Sequence, residues 1–531
     1  MPVRLIEYYI FSMVNVLTRG YTNKREAVYE RIDNEFETWK EALYYRLCDL
    51  INEDAIFSKL PYLLGDRRKI DTFDSQLNFL KNVFILPALF FWRLFLVRLE
   101  RGYYKVKYPN VCTLQDIMNE NFDYLSVLNT ADHTITALPV LESMDDRVKS
   151  LVVTFKEVYI RYENDFDKLK NVKVIFFDYE LKNLPPTKYL RIIKESKGKF
   201  RLLKSQNLDS DLKRLIDIDK NFIKFHLKTE LIQYYFFEKV FDVFDLKGAV
   251  SIVFTTAFEL CKERGIPTFV LQHGIGGKGH GHPYVSDYWF TLDDVSKESM
   301  DDWLDHTVEV IVSGSPRFEY LKDHLSLKKD ITRFNKKIGK PGYEKIVTYI
   351  GGGAENQVAF QALKSLRKAL PEYANLIIKL HPRVPLNVLD IKMEMEKILT
   401  QKELKHTTFI RGEIDFYEVL ANSDIVITRA STGMLEAIAA DIPTIQVNFV
   451  GAPLPDVYDL SSFGWKEPIT DPTIMVNEIL SILDDTKKHD EVIEKQRWLK
   501  NRMFKNFGNC GKVIAETIVD ICERERKGED R

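Results

Sequence analysis

Apolar positions along this chain change their spacing as the chain proceeds. From residue 1 to about 105 they recur at helical spacing, most plainly between Ala27 and Ile51, and turn signals are few. This stretch reads as a helical extension. From about residue 106 onward, short β-branched and aromatic runs take over, each bounded by turn or helix signals. They are SLVVTF (150–155), VKVIFFDYE (172–180), GAVSIVFTT (248–256), PTFVLQHG (267–274), YWFTLDD (288–294) and VEVIVSGSP (308–316). The helical stretch AFELCKERG (257–265) separates two of them, and Gly265 stands where a C′ glycine closes a helix. Strand, helix, strand at this spacing predicts parallel βαβ units, so 106–330 reads as one doubly wound domain.

Residues 317–342 are rich in Lys and Asp, lack a strand signal and end in Gly-Lys-Pro-Gly, which reads as a linker. A second series comes next: KIVTYIGGG (345–353), ANLIIKLHP (374–382), TTFIRG (407–412), SDIVITRAS (423–431) and IPTIQVNF (442–449). The last 60 residues or so turn helical again. Residues 331–531 therefore read as a second domain carrying terminal helices. The expected fold class is α/β: two Rossmann-like doubly wound domains facing a cleft, behind an N-terminal helical extension over 1–105. In such sheets ligands bind beyond the carboxyl ends of the strands.

Composition narrows the function classes. At 531 residues the chain exceeds what one core organises. A net charge of −2 offers no broad basic field, so no nucleic-acid partner is expected. Five scattered cysteines without a CxxC pair argue against a disulfide framework and for a reducing, cytoplasmic location. The N-terminus has no small-residue cleavage pattern and reads as a helix of the mature protein. The segment 82–105 is the most apolar. Its uninterrupted run, Val83 to Trp92, is about half of what a span needs, and Arg93 follows. Three readings stand: a buried helix or a helix pair broken at Pro87, an interfacial helix, or a true span. In the second, Trp92, Tyr103 and Tyr104 sit near headgroups and Arg93, Arg98 and Arg101 lie on the polar side, making the protein peripheral on the inner face of the membrane.

Candidate chemistry collects at strand ends. In YIGGGAENQ (349–357), Gly351 and Gly352 let backbone approach a ligand closely; a plain tight turn explains them equally. In IIKLHPRVP (377–385), Pro382 keeps His381 out of helical geometry, so its imidazole can donate to a phosphate. Lys379, two residues back on the same face, adds positive charge. In ITRASTGMLEAIAADIPTIQ (427–446), Ser431 and Thr432 cap a helix and Gly433 permits close approach, which together make a diphosphate cradle. Glu436, one turn further, can grip two ribose hydroxyls; an ordinary capped helix is the bland alternative.

These motifs carry a resemblance. The second half resembles the donor-binding domain of GT-B glycosyltransferases. LHP (380–382) and RASTGMLEA (429–437) are similar to the paired HP and Ser/Thr motifs of bacterial sialyl-, polysialyl- and Kdo-transferases, and of teichoic-acid polymerases using CDP-glycerol. VLQHGIGG (270–277), VSDYWF (285–290) and VSGSPRFEYL (312–321) resemble the N-terminal domain of capsule and surface-polysaccharide synthesis proteins. The resemblance covers about 245–450. It implies that His381, Ser431 and Thr432 bind the phosphate of a CMP- or CDP-linked donor, that Glu436 binds ribose, and that neither metal nor separate cofactor is required. The sialyltransferase Asp-Gly base motif has no evident counterpart here.

The stretch FVLQHGIGGKGHGHPYVSDYWF (269–290) holds five glycines and three histidines. Gln272 and His273 end a strand, and Gly274, Gly276 and Gly277 clear space for a sugar or acceptor hydroxyl. His273 suits a general base or a donor-phosphate contact, since an imidazole titrates near neutrality; a histidine bonded within its own loop is the alternative. Glu355 and Asp415, both after strands, are rival bases. A zinc site at His273, His280 and His282 would rest on a floppy scaffold, so Gly276–Pro283 reads instead as a loop closing over substrate. The expected activity is transfer of a Kdo- or sialic-acid-like sugar, or a polyol phosphate, from a CMP/CDP-activated donor to a surface glycan or lipid-linked acceptor. A UDP-sugar transferase, a UDP-sugar 2-epimerase relative and a non-catalytic glycan-assembly protein are the alternatives.

Overall fold

The computed structural model describes residues 108, 111–177, 180, 186–205, 220–252, 256–272, 286–301, 308–319, 321, 325, 329–351, 357–379, 393, 395–410, 414–449, 451, 454 and 459–528. The helical reading of 1–105 and the membrane reading of 82–105 lie outside them. Among the described residues, no helix is long and apolar enough to cross a membrane.

Two parallel sheets organise these residues. The first holds β1 (Val111–Cys112), β2 (Tyr124–Leu128), β3 (Ser150–Thr154), β4 (Val172–Phe176), β5 (Gly248–Ser251), β6 (Thr268–Leu271), β7 (Tyr288–Thr291) and β8 (Glu309–Val312). Its order is β1-β4-β3-β2-β5-β6-β7-β8, and every neighbouring pair is parallel. The second holds β9 (Lys345–Ile350), β10 (Ala374–Lys379), β11 (Thr407–Ile410), β12 (Ile425–Thr428) and β13 (Thr444–Gln446), in the order β11-β10-β9-β12-β13, again all parallel. Strand order reverses between β2 and β5 in one sheet and between β9 and β12 in the other. Each reversal is a topological switch point. The architecture is α/β, with two Rossmann-like domains.

All the strand runs expected from the sequence are strands. Two more, β1 and β2, go beyond that expectation. β2, YLSVL, is buried along its whole length, so it lacks the alternation that marks a half-exposed strand, and Ser126 interrupts its apolar run. Gly265 has φ +67, and the amide of Ile266 donates to the carbonyl of Cys261 at 2.9 Å, which closes the helix Thr256–Glu263 with the expected left-handed glycine.

The stretch read as a linker is partly structured. Helix α1 (Ile331–Lys337) is capped by Asp330, whose carboxylate accepts from the Arg333 amide at 2.9 Å. Phe334 then buries itself among Ile346, Ile377, Ile410, Ile414 and Val419 beneath the second sheet. Lys and Asp dominate the composition there because only one face of this short helix is covered.

Three further helices shape the carboxyl edge of the second sheet and its surroundings: α2 (Phe416–Ala421), α3 (Thr432–Ala439) and α4 (Thr486–Met503). The last helix, α5 (Cys510–Lys527), returns to the first domain and packs on the helix Ala131–Asp145. A Cβ at Gly511 would lie 2.7 Å from the Pro139 carbonyl, so the two backbones touch. Tyr288 donates to Glu525 at 2.8 Å, tying α5 to β7. The crossing is a tight turn in which Asn506 and Gly508 take φ of +51 and +86. One hydrophobic cluster runs through both domains, joining Phe318 and Leu321 to Ile350, Met434 and Phe504.

Candidate functional site

At the carboxyl edge of the second sheet, side-chain and backbone bonds fasten three strand ends together. Thr428 Oγ1 donates to the Ile350 carbonyl at 3.2 Å, joining β12 to β9. The Gly351 amide donates to the Lys379 carbonyl at 2.9 Å, carrying β9 onward beside β10. Just past the end of β12 at Thr428, Ser431 takes extended geometry and caps α3: its Oγ accepts from the Gly433 amide at 3.2 Å. A hydroxyl that accepts this bond keeps its own proton to donate.

Gly433 is where close approach is required. A Cβ there would lie 2.9 Å from Phe416 Cζ and 3.0 Å from Ile350 Cδ1. With glycine the first turn of α3 rests this near the end of β9 without displacing either side chain. Phe416, the first residue of α2, links this point to the next strand, because the Lys379 ammonium lies 5.8 Å from its ring centre. Gly351, Lys379, Ser431, Thr432 and Gly433 thus converge at the β9–β12 switch point. Ser431 and Thr432 are partly exposed, while Lys379 is 6% exposed. Two hydroxyls and an ammonium stand here beside the amino end of α3, whose dipole favours an anion.

Glu436, placed by the sequence at a ribose, is 1% exposed. Its Oε1 accepts from Arg317 Nε at 2.7 Å, from Arg317 Nη2 at 2.5 Å and from the Tyr417 hydroxyl at 3.0 Å. Arg317 lies just past β8 in the first domain, so this pair bridges the carboxyl edges of both sheets. Asp415 is exposed. Its carbonyl starts α2 by accepting from Glu418 and Val419, while its carboxylate makes no capping bond.

On the first sheet, Gln272 is 5% exposed and holds two strand ends in register. Its Oε1 accepts from Thr291 Oγ1 at 2.5 Å and from the Leu292 amide at 3.0 Å; its Nε2 has no partner among the described residues. Asp293, just past β7, accepts from the Ser296 amide at 2.7 Å. Burial pushes its carboxyl up to about 6, against the opposing pull of the Ser296 hydrogen bonds. His273, Gly274, Gly276, Gly277, His280 and His282 lie outside the described residues, as do Gly352, Glu355, His381 and Pro382.

Sequence reasoning missed Arg317, Phe416, Tyr417 and Asp293. Asp-Phe-Tyr-Glu after a strand does signal a helix start, but nothing local says that Phe416 will pack on Gly433. Arg317 sits in a Gly-Ser-Pro-Arg turn whose partner lies 119 residues later.

The class that the fold defines is an α/β protein of two Rossmann-like domains, each built on a parallel sheet. No protein-family model matches the chain, and no curated protein sequence matches it. Among solved structures, UDP-GlcNAc 2-epimerase from Neisseria meningitidis bound to UDP-GlcNAc is similar at 13% identity and TM-score 0.47, over 75% of this chain and 100% of that one. The Methanocaldococcus jannaschii UDP-GlcNAc 2-epimerase is similar at 13% identity and TM-score 0.46, over 75% and 99% of the two chains. A variant of the wall teichoic acid polymerase TagF is similar at 12% identity and TM-score 0.42, over 84% and 99%.

Proposed function

We propose that this protein is a glycosyltransferase of the GT-B type that draws a sugar or polyol phosphate from a nucleotide-activated donor. The observation carrying this reading is the convergence of Gly351, Lys379, Ser431, Thr432 and Gly433 at the β9–β12 switch point, with Gly433 packed closely against the Phe416 and Ile350 side chains.

In this reading the donor's phosphates rest at the amino end of α3, where the helix dipole favours negative charge. The Ser431 and Thr432 hydroxyls donate to non-bridging oxygens, and the Lys379 ammonium approaches from β10. As the sugar leaves, negative charge grows on the departing phosphate, and fixed donors in a partly buried crevice stabilise it more than they stabilise the bound donor. Arg317 and Tyr417 fix Glu436 and, through it, the second turn of α3. The cytidine nucleotide, a Kdo- or sialic-acid-like sugar and a surface-glycan acceptor are the finer part of the proposal and rest on the motif resemblance at 380–382 and 429–437.

Calorimetric titration of the full chain with CMP, CDP and UDP tests it. A cytidine nucleotide is expected to bind best, with K379A and S431A each weakening it about tenfold, the loss of one charge-assisted hydrogen bond. Preference for UDP overturns the cytidine assignment and favours a UDP-sugar enzyme. Undiminished binding in both variants overturns the site.

A further inference from the structure

The second domain carries a cavity whose lining shares no residue with the strand-end site. It has a volume of about 360 Å³, and Thr444 and Ile445, the first residues of β13, form its base. Gly351, Lys379 and Ser431 stand at the carboxyl ends of the strands; this pocket lies at the amino end of the edge strand. Its volume is at the small end of the range for ligand sites, about 300–1,000 Å³.

Two indoles line it, Trp465 and Trp498. Trp498 is 48% exposed, unusual for so large an apolar ring. It is nonetheless held in place. The Arg502 guanidinium lies 5.1 Å from its ring centre, and Gly464, at φ +82, would bring a Cβ within 3.3 Å of its Cη2. The left-handed glycine after the 3-10 helix Leu460–Phe463 thus makes room for the ring. The Trp465 indole N–H is buried in the wall without an acceptor among the described residues.

The charges around the rings are unbalanced. Lys466, Lys488 and Lys495 line the pocket against one carboxylate, Glu478, which Lys466 already engages. Lys488 reaches Glu491 only at 3.8 Å, and Lys495 has no ion pair among the described residues. Thr444 is spent internally, its amide on Gln496 and its hydroxyl on the Ile442 carbonyl. The lining therefore offers ammonium donors and aromatic surface but few free acceptors. A nucleobase edge needs donors and acceptors together. A sugar carboxylate needs donors alone, and the ring that carries it presents C–H faces that pack on indole.

We propose that this pocket is a second saccharide site, taking one anionic sugar unit of an oligosaccharide between Trp465 and Trp498, with its carboxylate at Lys495 and Lys488. The inference stands apart from the nucleotide reading of the crevice, and a protein that binds no nucleotide could still show it.

Titration of the full chain with a hyaluronan tetrasaccharide and a trigalacturonate, read by tryptophan fluorescence and calorimetry, tests the proposal, with maltotetraose as the neutral control. Saturable binding of at least one anionic probe is expected, with maltotetraose at least about tenfold weaker. W498A and K495Q should each weaken the anionic probe about tenfold, while nucleotide binding stays as in the wild type. K495Q changes an exposed side chain, so it keeps the test open if W498A fails to fold. Absence of binding by both anionic probes, equal binding of maltotetraose, or wild-type affinity in K495Q overturns the proposal.

Discussion

Arg317 and Glu436 form a buried ion pair that fastens the turn after β8 to the second turn of α3, at 2.5 and 2.7 Å with side chains 7% and 2% exposed. The Tyr417 hydroxyl completes the same carboxylate oxygen at 3.0 Å. Two charges in such surroundings contribute little net stability as a pair, but either one alone is costly. R317M is therefore expected to lower unfolding free energy by about 3–5 kcal/mol, and the double variant R317M/E436L to recover most of that loss. Urea denaturation of the wild type, R317M, E436L and the double variant checks it; additive losses would contradict the pairing.

Gly433→Ala tests the close contact at the crevice. The added methyl meets the end of the Phe416 ring at 2.9 Å and Ile350 at 3.0 Å, so the first turn of α3 or the ring must shift. A cost of about 1–3 kcal/mol is expected, the usual penalty of overpacking. Nucleotide affinity should fall with it, because the amides of that turn move away from β9. A variant with unchanged melting temperature and unchanged affinity would contradict the geometry.

Gly314→Ala probes the junction where α4 gives way to α5. Gly314 has φ +82, and a Cβ there would lie 1.9 Å from the Lys505 carbonyl oxygen and 2.7 Å from Cys510 Sγ. No rotamer relieves a clash with backbone. A loss of about 3 kcal/mol or more is expected from strain and overpacking together. Gly265→Ala is the control: its φ is +67, but nothing lies within 4 Å, so only the left-handed strain of about 1–2 kcal/mol applies. A melting comparison that ranks the two equally would contradict the contact with Lys505.

Asp293 sets a pH dependence of stability. Its carboxyl is raised from 3.8 to about 6 by burial, so the folded state holds its proton more tightly than the unfolded state. Stability from this group is complete below the unfolded value and is lost as pH rises through the window between 3.8 and about 6. D293N, which keeps a capping oxygen for the Ser296 amide, should therefore be more stable than the wild type at pH 7, by up to about 3 kcal/mol, and equal to it below pH 4. Thermal melts at pH 4 and pH 7 decide it; a variant less stable at pH 7 would reverse the sign.

Much of the domain architecture was legible because strand formation here is local. β-Branched and aromatic runs with turn residues at their ends mark the strands from β3 to β13, and the caps at Ser431 and Gly265 are readable within four residues. Gly351, Lys379, Ser431, Thr432 and Gly433 could be singled out because parallel sheets gather strand ends on one edge, so position after a strand already implies proximity. The linker reading failed at α1 because a charged exposed face masks the single buried Phe334.

The amino-acid sequence by itself determined the α/β class, the parallel strands and which residues stand at the strand ends, since these arise from local propensity, capping and alternation. Tertiary structure alone decided that Glu436 meets Arg317 from the other domain, that Phe416 fills the gap between Lys379 and Gly433, and that α5 returns to the first domain. It also decided that Trp465 and Trp498 share one pocket. Those contacts join residues far apart in the chain, and their partners are chosen by the order in which strands take their places in each sheet and by the turn through which the chain crosses back. Neither leaves a mark on the side chains near any one position.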